Sequence, residues 1–222
     1  MIKQSYFDKR VAKIYDEVIS SGYHNQKRYI EELLKIIPTR SKTLELGCGT
    51  GCITIPLMNN NVECEGLDPS VHMLYRLKCK NDNIKTYLAK AEDFNFKEGY
   101  YDFALSCSGP FSIKGNELES FILDPKKLKE SVQRFGSKTK EGLLINVGIE
   151  KPSLELKLPN ERTINHLESR KGDFIFGNNL LYKNGEAIEE LKYTKRRYPL
   201  KEIFDKAEIK KYKHFVLTKF RK

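Results

Sequence analysis

Residues 44–51 read Leu-Glu-Leu-Gly-Cys-Gly-Thr-Gly, and no other stretch limits the fold of this chain so narrowly. Thr43 to Leu46 has the character of a short strand, and glycines follow it at 47, 49 and 51. Glycine lets the backbone turn at positive φ and leaves bare main chain against which a ligand can lie. Ile53 to Met58 then reads as a helix, with Pro56 near its first turn, where the missing N–H costs little. A helix entered from such a turn aims free N–H groups and a partial positive charge at the same place. A dinucleotide fingerprint, G-x-G-x-x-G, needs its third glycine at 52, where Cys52 stands, so a pyrophosphate ligand is disfavoured. No Gly-Lys-Ser/Thr follows, which excludes a P-loop.

The rest of the chain extends this strand–turn–helix unit. Strands are expected over Glu63–Asp68, Ile84–Ala89, Tyr101–Cys107 and Gly142–Ile149, with helices over Val71–Lys78 and Pro125–Phe135, the latter closed by Gly136 as C-cap. Such alternation predicts a mostly parallel sheet with right-handed crossovers. Two amphipathic helices precede it: Phe7, Val11, Ile14, Tyr15 and Val18 mark the first, and Asn25 to Ile37, stopped by Pro38, the second. Residues 151–198 change to short alternating runs. Among them, Leu180–Tyr182 and Glu186–Tyr193 flank Asn184-Gly185, the strongest short hairpin signal. A helix over Leu200–Ala207 and a strand over His214–Phe220 close the chain. The expected architecture is therefore α/β, with helices on both faces of the sheet and a small antiparallel β insertion. In 222 residues one domain fits best, divided into an N-terminal helical lid (1–38), a core (39–150), a cap (151–198) and a closing helix and strand (199–222).

Composition excludes several classes. No apolar run approaches the length of a membrane span, and Met1 to Asp8 holds no secretory h-region, so a cytoplasmic protein without membrane association is expected. Five cysteines at 48, 52, 64, 79 and 107 have neither disulfide nor zinc spacing, which leaves reduced, mostly buried thiols and no metal. Lys plus Arg is 40 against 30 acidic residues, a net charge of +10, but it is spread along the chain, and a lysine-rich solvated surface accounts for it better than a nucleic-acid face.

Asp68 ends the second expected strand, 17 residues past Gly51. A carboxylate there can accept hydrogen bonds from both hydroxyls of a ribose. Standing before Pro69-Ser70, it equally suits a helix N-cap. Glu45 is an acid in an otherwise apolar strand end and needs a partner, which an ammonium group would supply.

With these residues in place the chain resembles the class I S-adenosylmethionine-dependent methyltransferases, of Rossmann-like fold with the last strand antiparallel. Their first motif, acidic-x-Gly-x-Gly-x-Gly, is matched by Glu45, Gly47, Gly49 and Gly51. The resemblance implies S-adenosyl-L-methionine as cofactor and S-adenosyl-L-homocysteine as product. It also implies that the glycine loop abuts the methionine part and that Asp68 grips the ribose. Ala91-Glu92-Asp93-Phe94 looks like the segment flanking the adenine, although Lys90 stands where the family often has an acid. Tyr101 to Ser106 looks like the fourth strand, whose end faces the transferable methyl. The implied cofactor-binding set is Tyr15, Glu45, Gly47, Cys48, Gly49, Thr50, Gly51, Asp68, Pro69, Met73, Ala91, Glu92, Asp93 and Ser106. For Tyr15, a lid over the cofactor and a place in the core are both open, and Cys48 and Cys52 suit packing better than chemistry.

The acceptor is less constrained. Methyl transfer from a sulfonium is an in-line displacement in which the protein aligns the nucleophile and excludes water. A general base is required only for an acceptor that is protonated at working pH, and no catalytic dyad is visible. A small-molecule N, O or C acceptor, bound beneath the N-terminal helices and the cap, is the favoured reading; His166, Phe174, Phe176 and Tyr182 are candidate pocket residues, each of which could instead pack the cap. The alternative is an RNA or DNA base, since Ser108-Gly109-Pro110-Phe111 faintly resembles the Asp/Asn/Ser-Pro-Pro-aromatic motif of base amino-methyltransferases, with glycine for the first proline. A cofactor-binding protein without catalysis has no positive support.

Overall fold

The computed structural model describes residues 9–18, 26–107, 109–148, 153–158 and 161–220. Phe7, Asn25, Ser108 and Ile149 lie outside them, as do the side chain of His166 and both ends of the chain.

Helices α1 (Lys9–Val18) and α2 (Gln26–Ile36) precede β1 (Lys42–Leu46), α3 (Thr54–Asn59), β2 (Glu63–Asp68), α4 (Val71–Lys80), β3 (Thr86–Leu88) and β4 (Phe103–Ser106). A hairpin of β5 (Phe111–Lys114) and β6 (Glu117–Ser120) follows, then α5 (Pro125–Lys138) and β7 (Gly142–Asn146). Four longer strands, β8 (Ser153–Leu158), β9 (Arg162–Lys171), β10 (Phe174–Lys183) and β11 (Glu186–Pro199), lead to α6 (Leu200–Ile203), β12 (Ala207–Lys211) and β13 (Phe215–Phe220).

Two sheets result. The first runs β12-β13-β7-β4-β1-β2-β3. β3, β2, β1, β4 and β7 are parallel, and β13 is antiparallel to β7. The fold is therefore the expected mixed α/β one, with a mostly parallel central sheet and the last strand antiparallel. Strand parity divides its core. Leu44, Leu46 and Ala104 face the layer built around α5, with Leu128, Val132 and Phe135. Phe103 and Leu105 face α2 and α3, with Leu33 and Leu57. Each such fully buried leucine or phenylalanine stabilises the fold by about 1.5–3 kcal/mol.

The second sheet runs β5-β6-β11-β10-β9-β8, all antiparallel. Asn184 and Gly185 turn its central hairpin with φ of 52° and 83°, the two positive values that such a turn requires. This layer is larger than residues 151–198, because β5 and β6 join it from before α5. Their signal was present in the sequence: Phe111–Lys114 and Glu117–Ser120 alternate about Gly115-Asn116, itself a two-residue hairpin turn. Gly148 N–H donates to Ile113 C=O at 2.8 Å and ties the hairpin to the end of β7. At its other end the layer packs Leu158, Ile164 and Leu181 against Val11, Ala12 and Ile14 of α1.

β3, β4 and β7 are shorter than expected and α4 runs two residues further, to Lys80; two other boundaries differ for reasons of packing. α5 continues through Gly136 to Lys138. Gly136 is not a cap: a Cβ there would stand 2.6 Å from the Phe220 ring, so its bareness serves helix–sheet packing. The helix after Leu200 ends at Ile203, and Ala207 opens β12 as the edge strand beside β13.

Candidate active site

The sheet order reverses between β1 and β4, which leave in opposite directions from the centre, and ligands of open α/β sheets bind at the C-terminal ends of strands at such a point. A cleft of about 850 Å³, counting its open mouth, lies there. Its walls are Tyr15 from α1, Gly47 and Gly49 after β1, Leu67, Asp68 and Pro69 at the end of β2, and Met73 in α4. Ala89 to Glu92 after β3, Gly109 and Pro110 after β4, and Phe121 and Ile122 after β6 complete them.

The glycine loop is held by main-chain bonds. Gly47 N–H and Cys48 N–H both donate to Leu67 C=O, at 2.7 and 3.1 Å. Gly47, at φ 72°, passes so close to the chain after β4 that a Cβ would stand 2.7 Å from Gly109 Cα. A Cβ on Gly109 would stand 2.0 Å from Leu46 O, so both crossing segments must be bare. Cys48 turns beneath the loop onto Gly66, where its Sγ fills the place of a Cβ.

Asp68 joins the loop to the next helix. Its Oδ2 accepts from Gly49 N–H at 2.9 Å and its Oδ1 from Ser70 N–H at 2.8 Å. It is not the cap of α4, since Ser70 Oγ accepts from Met73 N–H in that role. Burial raises the Asp68 carboxyl to about 6, with the two backbone donors pulling the other way. The carboxylate thus sits in the cleft wall with lone pairs to spare, suited to hydroxyl donors.

Tyr15 comes over the loop, its ring 3.5 Å from where a Cβ of Gly49 would stand. Asp16, next to it, accepts from Thr50 Oγ1 at 2.5 Å and from Lys80 Nζ at 2.6 Å, with Arg76 at 3.5 Å, so α1 is latched to both loop and α4. Arg134 of α5 donates through Nη2 to Ala91 C=O at 2.8 Å and Glu92 C=O at 3.1 Å, fixing the opposite wall.

Of the expected residues, Tyr15, Gly47, Gly49, Asp68, Pro69, Met73, Ala91 and Glu92 line the cleft. Six do not. Glu45 is buried on the α2–α3 face of β1, where Thr54 Oγ1 donates to its Oε2, so the partner that the strand-end acid needs comes from the protein. Desolvation raises Glu45 to about 8, with Thr54 opposing and the Asp68 charge adding to it. Cys48 lies under the loop. Thr50 is occupied by Asp16, and Gly51 is tucked against Ile55 and Leu77. Asp93 is exposed in a turn whose N–H bonds to Lys90 C=O. Ser106 Oγ is spent on the backbone of Phe111, donating to its C=O at 2.8 Å and accepting from its N–H at 3.1 Å. Phe174 and Phe176 pack on each other away from the cleft, and Tyr182 is likewise absent from its walls. Lys90, Gly109, Pro110, Phe121 and Ile122 had no assigned role in the sequence reading of the cofactor site. The four-residue segment from 108 was the one signal for Gly109 and Pro110.

Residues 43–124 match the family model described as a methyltransferase domain. An uncharacterized protein of Methanocaldococcus jannaschii, MJ1123, is 28% identical over 206 residues, 92% of this chain and 91% of its own length. The carboxy-S-adenosyl-L-methionine synthase of Campylobacter jejuni is 29% identical over 149 residues, 64% of this chain, and the match spans 60% of that protein. Among solved structures, the CcbJ methyltransferase of Streptomyces caelestis is similar with a TM-score of 0.74 at 15% identity, covering 97% of this chain and 98% of that one. CalS10 of Micromonospora echinaspora, an amino pentose methyltransferase involved in calicheamicin biosynthesis, gives 0.72 at 13% identity over 93% and 96%. At these identities the structural likenesses concern the fold.

Proposed function

We propose that this chain, a class I S-adenosylmethionine-dependent methyltransferase, transfers the methyl group to an N, O or C atom of a small-molecule acceptor, with S-adenosylhomocysteine as product. One observation carries the cofactor's place: a bare glycine loop and a buried carboxylate, joined by the Gly49–Asp68 hydrogen bond, share the wall of one cleft at the switch point of the sheet. In this reading the whole chain is one domain, with α1 over the cleft, α2 packed on the α3 face of the parallel sheet and not over the cleft as the sequence suggested, and the antiparallel sheet as the cap.

The residues present fit the cofactor. Asp68 would accept from the ribose hydroxyls, Gly47 and Gly49 would let the methionine part lie on backbone, and Pro69, Met73, Ala91 and Glu92 would flank the adenine. Tyr15 would close over the loop. Glu45, behind the loop, holds Thr54 and thereby the start of α3. The bound cofactor supplies a methyl group on a sulfonium, whose departure as a neutral thioether needs no charge from the protein. What the chain contributes is alignment and exclusion of water, through Tyr15 on one side and Phe121 and Ile122 on the other.

A small acceptor is supported by the antiparallel sheet, from which Phe121 and Ile122 follow β6 into the cleft wall, and by the similarly folded CalS10, named an amino pentose methyltransferase. No helix among the described residues is long and apolar enough to cross a membrane. The test is transfer of tritium from methyl-labelled S-adenosylmethionine into a metabolite pool and, separately, into total RNA. Label is expected in the small molecules. Label in RNA alone would replace this acceptor by a nucleic-acid base, and absence of cofactor binding in calorimetry would overturn the reading altogether.

A further inference from the structure

Past Asp68 the wall of the cleft is made by Pro69 and Met73 and by the segment after β3, Ala89 to Glu92. With the ribose on Asp68 and the methionine part on the glycines, this stretch is left for the base. The segment is fixed through its carbonyl groups. Ala89 N–H donates to Asp68 C=O at 3.3 Å, which ties its start to the acid. Lys90 C=O accepts from Asp93 N–H and from Phe94 N–H, both at 3.1 Å. Ala91 C=O and Glu92 C=O take the two bonds from Arg134 Nη2 at 2.8 and 3.1 Å. Each carbonyl from 90 to 92 is thus used within the protein. The N–H groups of the same three residues have no acceptor among the described residues.

The side chains extend this bias. Among the described residues of the cleft wall Lys90 is the one cation, and no carboxylate of the described residues pairs with it. An ammonium carries three donors and no acceptor. The acceptor that the segment retains is the carboxylate of Glu92. Adenine is unevenly equipped in return: its ring nitrogens are acceptors, and its exocyclic amine is its one donor group on the base edge. A wall of donors therefore matches the ring nitrogens and leaves the amine to Glu92 or to water. When the amine is replaced by oxygen, the 6-oxo group and N7 are both acceptors, so an ammonium keeps a partner where a carboxylate would lose one.

We infer that Lys90 is a specificity-determining residue for the base of the cofactor: it donates to an acceptor on the purine edge, so that the site admits a 6-oxopurine as readily as adenine. This rests on the methyltransferase reading above and concerns which nucleoside the cleft accepts.

The test is calorimetric binding of S-adenosylhomocysteine and of its deaminated analogue, S-inosylhomocysteine, to the parent and to two variants. The parent should bind the two within about threefold of each other, whereas a site that reads the amine rejects the analogue strongly. Lys90→Met should weaken both about tenfold, through loss of a charged hydrogen bond. Lys90→Glu should bring discrimination, favouring the adenine ligand by about tenfold, because a carboxylate accepts from the amine and opposes the 6-oxo group. A merely structural role would lower both affinities and leave their ratio alone. Melting of the unliganded variants shows that they are folded; should Lys90→Met fail to fold, the ratio in Lys90→Glu decides. Rejection of the analogue by the parent, unchanged affinities in Lys90→Met, or an unchanged ratio in Lys90→Glu would overturn the role of Lys90 and leave the cofactor reading standing. Failure of the parent to bind either ligand would remove both.

Discussion

Asp68→Asn changes one atom of the proposed cofactor site and yields two linked expectations. In the parent, each carboxylate oxygen accepts one backbone N–H, Gly49 on Oδ2 and Ser70 on Oδ1, and keeps a further lone pair toward the cleft. The amide group replaces one of those oxygens by NH₂, which must meet a backbone N–H donor to donor or abandon a ribose hydroxyl. Losing the charge and one acceptor should weaken S-adenosylhomocysteine binding by about 1–3 kcal/mol, roughly 5- to 150-fold in Kd. The pH dependence is more particular. Burial holds the free protein's Asp68 at about 6. Hydroxyl donors favour the carboxylate, so its pKa in the complex lies lower, and affinity should climb as pH rises through about 6 and level off above it, with a slope of at most about tenfold per unit. Glu45, raised to about 8, stays protonated across that window and adds no slope. Calorimetry between about pH 5 and pH 7 would measure both effects, with proton release appearing as dependence on buffer ionisation enthalpy. An unchanged Kd in Asp68→Asn, or a parent Kd that does not improve with pH, would refute the assignment.

Glu45→Gln should change how stability depends on pH. A carboxyl at about 8 in the folded protein and near 4.5 when unfolded binds more protons folded, so parent stability falls as pH rises through that interval. The amide lacks this slope, so the stability difference, variant minus parent, should be more than about 1 kcal/mol more favourable to the variant above about pH 8 than near pH 5, read from urea midpoints; parallel pH profiles would count against a protonated Glu45. Gly109→Ala should cost about 3 kcal/mol or more, because its Cβ would stand 2.0 Å from Leu46 O where neither chain can give way; a variant melting like the parent would contradict the crossing. Asp16→Ala removes a partly exposed ion pair worth about 1 kcal/mol or less, yet it frees α1 from Thr50 and Lys80 and should raise the Kd for S-adenosylhomocysteine several-fold; a lost ion pair without weaker binding would show that Tyr15 needs no latch.

What could be read in the sequence is what nearest neighbours along the chain determine. The glycine turn, the Asn184-Gly185 hairpin and the parallel strand–helix repeat each follow from local backbone preference and periodicity. The end of α5 was misplaced because Gly136 carries two meanings that the sequence does not separate: a cap, or a bare spot against another element. Only the position of Phe220, 84 residues on, decides between them. The second sheet was underestimated because β5 and β6 precede α5 in sequence and join β11 only in space.

The site divides along the same line. Residues whose main chain does the work, Gly47 and Gly49, and the strand-end Asp68 came out where expected. Glu45 and Ser106, expected at the cofactor from the resemblance of the first motif and of the fourth strand, do not line the cleft. Strand parity decides this for Glu45, and hydrogen bonding to the Phe111 backbone decides it for Ser106. Glu45 pairs with Leu105 of β4 on the face covered by α2 and α3, while Ser106 is turned into the hairpin that follows it. Glu45 nonetheless has a consequence for the cleft. The Glu45–Thr54 bond fixes the start of α3, Asp68 fixes Gly49, Asp16 fixes Thr50, and Arg134 fixes Ala91 and Glu92. Four side chains from β1, β2, α1 and α5 thus brace the glycine loop, the start of α3 and the wall after β3. A loop bare enough to admit a ligand has few side chains with which to anchor itself, so beyond its main-chain bonds to Leu67 its preorganisation comes from these side chains elsewhere in the chain.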